Sequence, residues 1–472
     1  MRNMGKVLSG YLMPHPPIII DEIGGIEGRK AIRTIEGCET IAKDIRDKQP
    51  TTIIVVTPHG PLFSDAISIS VSEELFGDFS RFGNRNLKFN FKNNLELVNE
   101  IIEESHKQGI MIAKIDKNFA INYNIDVNLD HGALVPLYFV SREYQDFKLI
   151  HITYSLLSPI ELYKFGNIVK EKSLESEENV VLIASGDLSH KLSYSGPYSY
   201  SPYGVQFDKK IVEILKKGDF KSIVTFDLGL SERAGECGLR SLMILAGFLD
   251  GFKIKPEVLS YEGPFGVGYC NAIFHVMGEN EKDNTFKEIC ALKENKIQEI
   301  RNKEDEFVRL ARNSLEYYIK TGRIMEVPKD LSPELLNQRR GAFVTIKKDG
   351  VLRGCIGTIE PTRANLAEEI IHNAVSAGVR DPRFEPVREE ELPYLIYSVD
   401  VIYPPESVSS IDELDAEKYG VIVSKGFRKG VLLPNIEGVD TPSEQIKIAL
   451  RKAGIEEYEN YKLERFRVER HF

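Results

Sequence analysis

Long apolar runs are missing from this chain of 472 residues. No stretch approaches the roughly 18 consecutive apolar residues that a membrane-spanning helix needs. The first residues, Met-Arg-Asn-Met-Gly-Lys, are not followed by an apolar segment of signal-peptide length. The sequence therefore predicts a cytoplasmic protein with no membrane segment.

Cysteine pairs and basic clusters are also scarce. The five cysteines are Cys38, Cys237, Cys270, Cys290 and Cys355. Their odd number and the absence of a C-x-x-C pair predict reduced thiols rather than a disulfide framework or a structural zinc site. A formal net charge of −10 and the lack of any sustained Lys/Arg stripe argue against nucleic acid or an anionic membrane as a partner. A small molecule or another protein is expected instead.

The length and the 42% hydrophobic content are enough for two cores, so two domains are predicted. Residues 1–278 form the first domain, and residues 305–472 form the second. Between them, residues 279–304 are dense in charges of both signs and poor in proline and glycine, which predicts a solvated helical linker.

In the first domain, strand-like and helix-like segments alternate, which is typical of an α/β fold. Apolar, β-branched runs predict strands at residues 53–57, 66–71, 149–154, 180–184 and 272–276. Apolar residues at helical spacing predict helices at residues 31–46, 93–108, 159–172 and 206–217.

The second domain has an α+β pattern. An amphipathic helix is predicted at residues 307–321, and Asp349-Gly350 between two apolar segments predicts a β-hairpin. A helix at residues 363–379 and strands at residues 394–403 and 419–423 complete the outline.

Histidines stand where apolar segments of the first domain run into polar loops. The segment Val-Val-Leu-Ile-Ala-Ser-Gly-Asp-Leu-Ser-His ends at His190, Ile-Ile-Val-Val-Thr-Pro-His ends at His59, and Met-Pro-His-Pro-Pro contains His15. His131 follows Asp130 and is a fourth candidate. Because α/β sheets gather their chemistry at strand ends, we expect these side chains to meet.

Two histidines and one carboxylate are the ligands that non-haem Fe(II) oxygenases use, because this set leaves metal positions open for substrate and oxygen. His15 and His59 supply the histidines. Glu236 is the favoured carboxylate; the alternative is an ordinary acidic residue near a helix N-terminus, stabilised by the helix dipole. Cys237 beside it is a rival ligand, since a thiolate binds iron, zinc or copper.

His131 and His190 are the candidate acid–base residues. A catechol must lose protons to chelate a metal, and an imidazole can accept one at neutral pH. Asp130 is grouped with them because it adjoins His131. The alternative for this pair is a helix-capping aspartate followed by a passive histidine. Four tyrosines after His190 can line an aromatic pocket or merely pack a long loop: Tyr194, Tyr198, Tyr200 and Tyr203.

The ordered motifs around these residues, together with Val267-Gly268-Tyr269, resemble the class III extradiol ring-cleaving dioxygenases of the LigB type over residues 7–278. The resemblance implies an α/β sandwich-like domain with a central mixed sheet. It also implies Fe(II) held by His15, His59 and a glutamate, acid–base work by His131 and His190, and a small aromatic substrate. Cys237-Gly238 departs from this pattern toward the related Memo-type proteins, in which a cysteine replaces the carboxylate.

The second domain carries Leu-Arg-Gly-Cys-Ile-Gly at residues 352–357, then Arg380-Asp381-Pro382-Arg383-Phe384. These motifs resemble the AMMECR family, which implies a fold but no settled role. Arg353 can bind an anion and Cys355 can be a nucleophile, but no histidine is near in sequence to activate the thiol, so a buried structural cysteine is favoured.

Two hypotheses follow. The first is an Fe(II) extradiol dioxygenase acting on a catechol-like compound, with zinc or copper as alternative metals. The second is a Memo-like metal- or peptide-binding module without ring cleavage. Fused AMMECR-like and Memo-like domains resemble two parts of the AmmeMemoRadiSam grouping, which implies a radical S-adenosylmethionine protein as partner. The sequence leaves the substrate, the metal and the oligomeric state, including a homo-oligomer, open.

Overall fold

The computed structural model describes residues 4–123, 125–280, 285–436 and 439–472. The chain divides into two compact units, Met1–Leu292 and Lys293–Phe472. The division falls inside the predicted linker.

The described residues of the first unit form ten strands, eight of which make one large sheet. In chain order the strands are β1 (Lys6–Met13), β2 (Thr52–Thr57), β3 (Ile67–Ser70), β4 (Glu74–Phe79), β5 (Asn84–Lys92), β6 (Ile112–Ile115), β7 (Lys148–Thr153), β8 (Asn179–Ser185), β9 (Phe252–Glu262) and β10 (Tyr269–Glu279). The order across the large sheet is β6-β3-β7-β2-β8-β1-β10-β9, whereas β4 and β5 form a separate hairpin.

The large sheet is mixed. Strand β2 is parallel to β7 and β8, and β8 is parallel to β1. Strands β9 and β10 continue the sheet in antiparallel pairing at one side. Because β1, β2 and β8 are neighbours and run the same way, their carboxyl ends lie together at one edge of the sheet.

Helices cover both faces of the sheet. They are α1 (Asp21–Gly28), α2 (Ile32–Lys48), α3 (Leu95–Lys107), α4 (Lys117–Tyr123), α5 (His131–Glu143), α6 (Pro159–Glu175), α7 (Pro202–Lys217), α8 (Phe220–Val224), α9 (Leu228–Ala234) and α10 (Leu239–Phe248). Helices α2 and α5 pack on one face, and α6 and α10 pack on the other. The central strands β2 and β8 are therefore buried on both faces, which explains their unbroken apolar sequences.

All nine elements predicted for the first domain are present, with ends that differ by a few residues. The mixed α/β fold is confirmed. Sequence patterns missed the β4–β5 hairpin, whose strand β5, Asn-Arg-Asn-Leu-Lys-Phe-Asn-Phe-Lys, is polar on alternate positions and largely exposed.

The second unit has the predicted α+β fold. Its strands are β11 (Ala342–Lys348), β12 (Val351–Gly357), β13 (Leu395–Ile402), β14 (Glu406–Ser407), β15 (Tyr419–Lys425), β16 (Arg428–Leu432) and β17 (Lys462–His471). Its helices are α12 (Glu306–Thr321), α13 (Pro333–Asn337), α14 (Leu366–Val379) and α15 (Pro442–Ala453). The sheet order is β12-β11-β13-β17-β15-β16, with β14 paired to β17. Asp349 and Gly350 both have positive φ in the β11–β12 hairpin, as the Asp-Gly signal predicts.

Helix α11 (Thr285–Arg301) occupies most of the segment predicted as a linker. It is not wholly solvated, because Ile289 is fully buried in a cluster with Tyr163, Val224 and Ala246 of the first unit. Ile289 therefore anchors this helix to the rest of the first unit, a contact that the charged composition of the segment does not predict.

The sequence predicts neither a membrane-spanning segment nor a disulfide framework. Within the described residues, no helix is both long and apolar enough to cross a membrane. The five cysteines all lie in described parts of the chain, and no disulfide joins them.

Candidate metal centre

The predicted histidines meet at the carboxyl edge of the large sheet. His15 lies just after β1, His59 just after β2, and His190 in the loop after β8. His131 is the first residue of α5. The rings of His59 and His131 stack with centroids 4.2 Å apart, and the ring of His15 is 4.7 Å from that of His59. Parallel strand order thus assembles residues that are distant in sequence.

Cys237 completes the cluster. The Nε2 atoms of His15 and His59 are 3.0 Å apart. The sulfur of Cys237 lies 3.6 Å from Nε2 of His15 and 3.6 Å from Nε2 of His190. His15 and Cys237 are buried, while His59 borders a cavity.

Hydrogen bonding fixes which nitrogen of His15 is free. The hydroxyl of Ser185 donates its one hydrogen to the carbonyl oxygen of Gly132. It must therefore accept from Nδ1 of His15, which is 2.9 Å away. Nε2 of His15 is then unprotonated and points at His59 and Cys237, as a metal ligand requires.

The histidines of the cluster are neutral at pH 7. Burial, and then the nearby histidines, hold the pKa of His15 well below its usual value. Burial lowers the pKa of His59 and of His190 to about 4, and it also lowers the pKa of His131. Neutral imidazoles are the form that binds metals and accepts protons.

Cys237 and Asp187, acidic groups beside the cluster, have raised pKa values. Burial, with the nearby carboxyl groups of Asp187 and Glu236, raises the pKa of the Cys237 thiol well above its usual value. Burial raises the pKa of Asp187 to about 7, although its carboxyl accepts a hydrogen bond from the backbone of His15. A cation would favour the ionised form of both groups.

The geometry fits a transition-metal ion. His15, His59 and Cys237 each offer one ligand atom, and these atoms lie within 4.8 Å of one another. Tetrahedral coordination at ordinary bond lengths places two nitrogens roughly 3.3 Å apart and a nitrogen and a sulfur roughly 3.6 Å apart. The observed 3.0 Å and 3.6 Å are close to these values.

Glu236 is placed differently from the expectation. One oxygen of its carboxylate accepts a hydrogen bond from the hydroxyl of Ser231, and the other accepts one from the backbone N–H of Leu239, the first residue of α10. The described residues that could share a metal are two histidines and Cys237, without Glu236. The structure therefore brings the rival ligand to the histidines, and Glu236 has the alternative role of an acidic residue at a helix N-terminus.

Asp130 lies beside the cluster, and its hydrogen bonds go to other residues than the ring of His131. One oxygen accepts hydrogen bonds from Thr57 and from the first backbone N–H groups of α5, and the other accepts one from Nε2 of His151. Burial by itself would raise the pKa of Asp130. The hydrogen bond from His151 and the electrostatic attraction between the two side chains instead hold this pKa at about 2. The aspartate caps the helix, as its alternative interpretation predicts, and it is ionised at neutral pH.

A cavity of about 500 Å³ opens beside His59 and His131. Its other walls come from the β4–β5 hairpin and the loop before α5, and include Arg81, Phe82, Asp126 and Asn128. The four tyrosines after His190 do not line it. Tyr198 stacks on His190 with centroids 5.0 Å apart, whereas Tyr194 is 87% exposed. The tyrosines therefore do not form a wall of this cavity, and Tyr198 packs on His190 instead.

In the second unit, Arg353 is committed to a salt bridge with Glu391. Cys355 is partly exposed, so the burial expected of this cysteine is not found. Its sulfur accepts a hydrogen bond from Thr345, and no histidine activates it among its described hydrogen-bond partners.

Comparison with known proteins agrees with this architecture. The family model described as the catalytic LigB subunit of aromatic ring-opening dioxygenase matches residues 9–272. The chain belongs to the LigB family. The AMMECR1 family model matches residues 308–471, so an AMMECR1 domain follows the LigB domain.

Relatives share one or both domains. A Clostridium acetobutylicum protein, CA_C1420, is 46% identical over 98% of both chains. A Thermotoga maritima protein is 51% identical over 36% of this chain and 98% of its own length. The crystal structure of the uncharacterized protein PH0010 from Pyrococcus horikoshii matches 36% of this chain and 90% of its own with 36% identity and a TM-score of 0.34.

Sequence patterns missed several residues of the site. Ser185 and Asp187 stand in the same motif as His190, and a hydroxyl or carboxyl next to a strand-end histidine was the available signal. Arg81 and Phe82 carried no signal, because they reach the cavity from a hairpin that the sequence did not predict.

Proposed function

We propose that the LigB domain binds one transition-metal ion through His15, His59 and Cys237 and acts on a small catechol-like aromatic compound in the adjoining cavity. The observation that carries this proposal is the convergence of three ligand atoms beside a cavity of about 500 Å³ and two further neutral histidines. Fe(II) is the proposed metal, with zinc and copper as alternatives, because two imidazoles and a thiolate suit all three.

A bound metal ion would polarise a phenolic oxygen and make its proton easier to remove. Side chains of the protein would accept that proton and pack against the aromatic ring. His131 is neutral and stacks on His59 at the cavity wall, so it can accept a proton from a hydroxyl group there. Phe82, whose ring centroid lies 5.2 Å from that of His131, offers an apolar surface to an aromatic ring.

His190 is proposed as the second acid–base group. Its Nε2 lies 3.6 Å from the sulfur of Cys237, and His190 is not among the residues that line the cavity. Burial keeps it neutral, and Tyr198 covers one face of its ring. A neutral imidazole in this position can take a proton from a group that enters the cluster.

A second candidate function is favoured by one observation, the presence of Cys237 where a ring-cleaving enzyme would place a carboxylate. In this candidate the domain is a Memo-like metal-binding module that does not cleave rings, and it works with a radical S-adenosylmethionine protein. The AMMECR1 domain would then contribute to recruiting that partner.

Metal analysis followed by oxygen uptake separates the two candidates. The protein is reconstituted anaerobically with Fe(II), its metal content is measured, and oxygen consumption is followed with a panel of catechols. Oxygen uptake matched by loss of the aromatic absorbance supports the enzyme. One bound metal ion with no catechol consumed contradicts the enzymatic proposal and favours the binding module.

A further inference from the structure

Next to the histidine cluster lies a second polar group, built on the buried residue His151. This residue is 2% exposed in the middle of strand β7. Its Nε2 is 2.9 Å from the carboxylate of Asp130, and its Nδ1 is 2.9 Å from the hydroxyl of Ser70 on β3. Since a carboxylate can only accept, Nε2 of His151 carries a hydrogen and donates it.

Asp130 connects this pair to two residues of the metal centre. Its other oxygen lies 2.6 Å from the hydroxyl of Thr57, which donates to it. The same hydroxyl then has to accept the backbone N–H of His59. The carboxylate also caps α5, whose first residue is His131. One side chain therefore sets both His59 and His131.

The packing at this junction leaves little freedom. A β-carbon on Gly132 would lie 2.3 Å from the hydroxyl of Thr57 and 3.4 Å from the ring of His59. The first turn of α5 is thus pressed against the end of β2, and a rotation of the Asp130 carboxylate would have to move one of them. His151 holds the carboxylate oxygen that Thr57 and the backbone of α5 do not hold.

Stability alone does not explain why His151 is paired with Asp130. Two polar side chains taken out of water lose hydration, and apolar residues of similar size often stabilise a core equally well. A directed hydrogen bond from His151, by contrast, fixes the orientation of the carboxylate.

We infer that His151 is a positioning residue of the metal centre, which acts through Asp130 to hold the rings of His59 and His131 in their stacked arrangement. The inference rests on the proposed function for its catalytic meaning, but the positioning itself is a property of the protein without metal. Loss of the donor would leave the second oxygen of Asp130 without the hydrogen bond that orients it, so the carboxylate would turn or take up a proton.

The test is NMR of the full chain without metal, with ¹⁵N-labelled histidine rings. In His151→Leu we expect the ring signals of His59 and His131 to shift. The ring signals of His190 should stay in place, because the backbone N–H of His190 donates to the carbonyl oxygen of Gly235. His151→Gln keeps an N–H donor but has no ring, so it should return the signals toward their original positions and exclude a ring-current effect. His106→Gln, a change of an exposed histidine on α3, is the matched control and should shift neither signal.

Unchanged His59 and His131 signals in folded His151→Leu would overturn the inference, as would equal shifts in the Leu and Gln variants. If His151→Leu does not fold, Ser70→Ala removes only the partner of Nδ1 and is judged by the same two signals. Because no metal or substrate is present, this result is independent of whether a catechol is turned over.

Discussion

The sulfur of Cys237 lies 3.6 Å from Nε2 of His15, the nitrogen that Ser185 leaves without a proton. A thiol thus stands where the sequence favoured a carboxylate as the third metal ligand. A thiolate carries the same single negative charge as a carboxylate but is a softer donor, so the choice of metal shifts toward ions that accept sulfur.

This relationship predicts different outcomes for two adjacent residues. Cys237→Ala removes a ligand and should reduce bound metal to a small fraction of one ion per chain. Glu236→Gln is the matched control, because an amide can keep the bonds with Ser231 and Leu239 and should leave the metal content unchanged. Metal analysis after dialysis measures both variants. Loss of metal in Glu236→Gln with retention in Cys237→Ala would reverse the assignment.

A second prediction separates metal binding from proton transfer. His15→Ala should lose the metal, because it removes a buried ligand. His190→Ala should keep the metal while turnover of a catechol substrate falls by about 10²–10⁴-fold, the usual contribution of a positioned acid or base. Metal content and initial rates are measured on the same preparations. An unimpaired rate in His190→Ala would exclude His190 as the acid–base residue, and loss of its metal would make it a ligand.

A third prediction concerns protons released on metal binding. Between pH 7.5 and 9 the Cys237 thiol is protonated without metal, since burial raises its pKa, and it binds metal as a thiolate. His15 and His59 are already neutral and Asp187, with a pKa of about 7, is already largely ionised, so they release little. About one proton should therefore leave per metal ion, and affinity should rise about tenfold per pH unit.

Titration calorimetry in two buffers of different ionisation enthalpy measures this release. An enthalpy that does not depend on the buffer would show that no proton leaves, and the thiolate would then not be the ligand.

A fourth prediction concerns the helix Thr285–Arg301. Ile289→Ala should destabilise the first unit by about 2–5 kcal/mol, the usual cost of truncating a fully buried isoleucine. Leu292→Ala, at a side chain that is 49% exposed, is the matched control and should have little effect. A fragment of residues 1–292 should consequently unfold at a higher temperature than one of residues 1–278. Both fragments should bind metal, and equal unfolding temperatures would show that Ile289 contributes nothing.

The sequence predicts the fold well because its central strands and amphipathic helices have strong periodic patterns. Strands β2 and β8 are apolar along their whole length, and helix α12 has one apolar face. The β4–β5 hairpin escaped prediction although β5 alternates polar and apolar residues, because β4 is short and contains Gly77 and Asp78, two residue types that are rare in strands.

The same limit applies to the metal centre. Strand ends identify His15, His59 and His190, because parallel neighbours bring them together. Adjacent residues such as Glu236 and Cys237 cannot be distinguished in this way, since their side chains point in different directions from one short turn before α10. Only the three-dimensional arrangement shows that the thiol faces the histidines and that the carboxylate bonds the helix N-terminus.

X-ray absorption spectroscopy of the metal-loaded protein distinguishes a thiolate ligand from a carboxylate. A metal held by His15, His59 and Cys237 should give one sulfur scatterer at about 2.3 Å together with imidazole nitrogens at about 2.0–2.1 Å, and the sulfur contribution should be lost in any metal that Cys237→Ala retains. A spectrum of the unaltered protein with only nitrogen and oxygen scatterers would contradict this ligand set and return the third ligand position to a carboxylate.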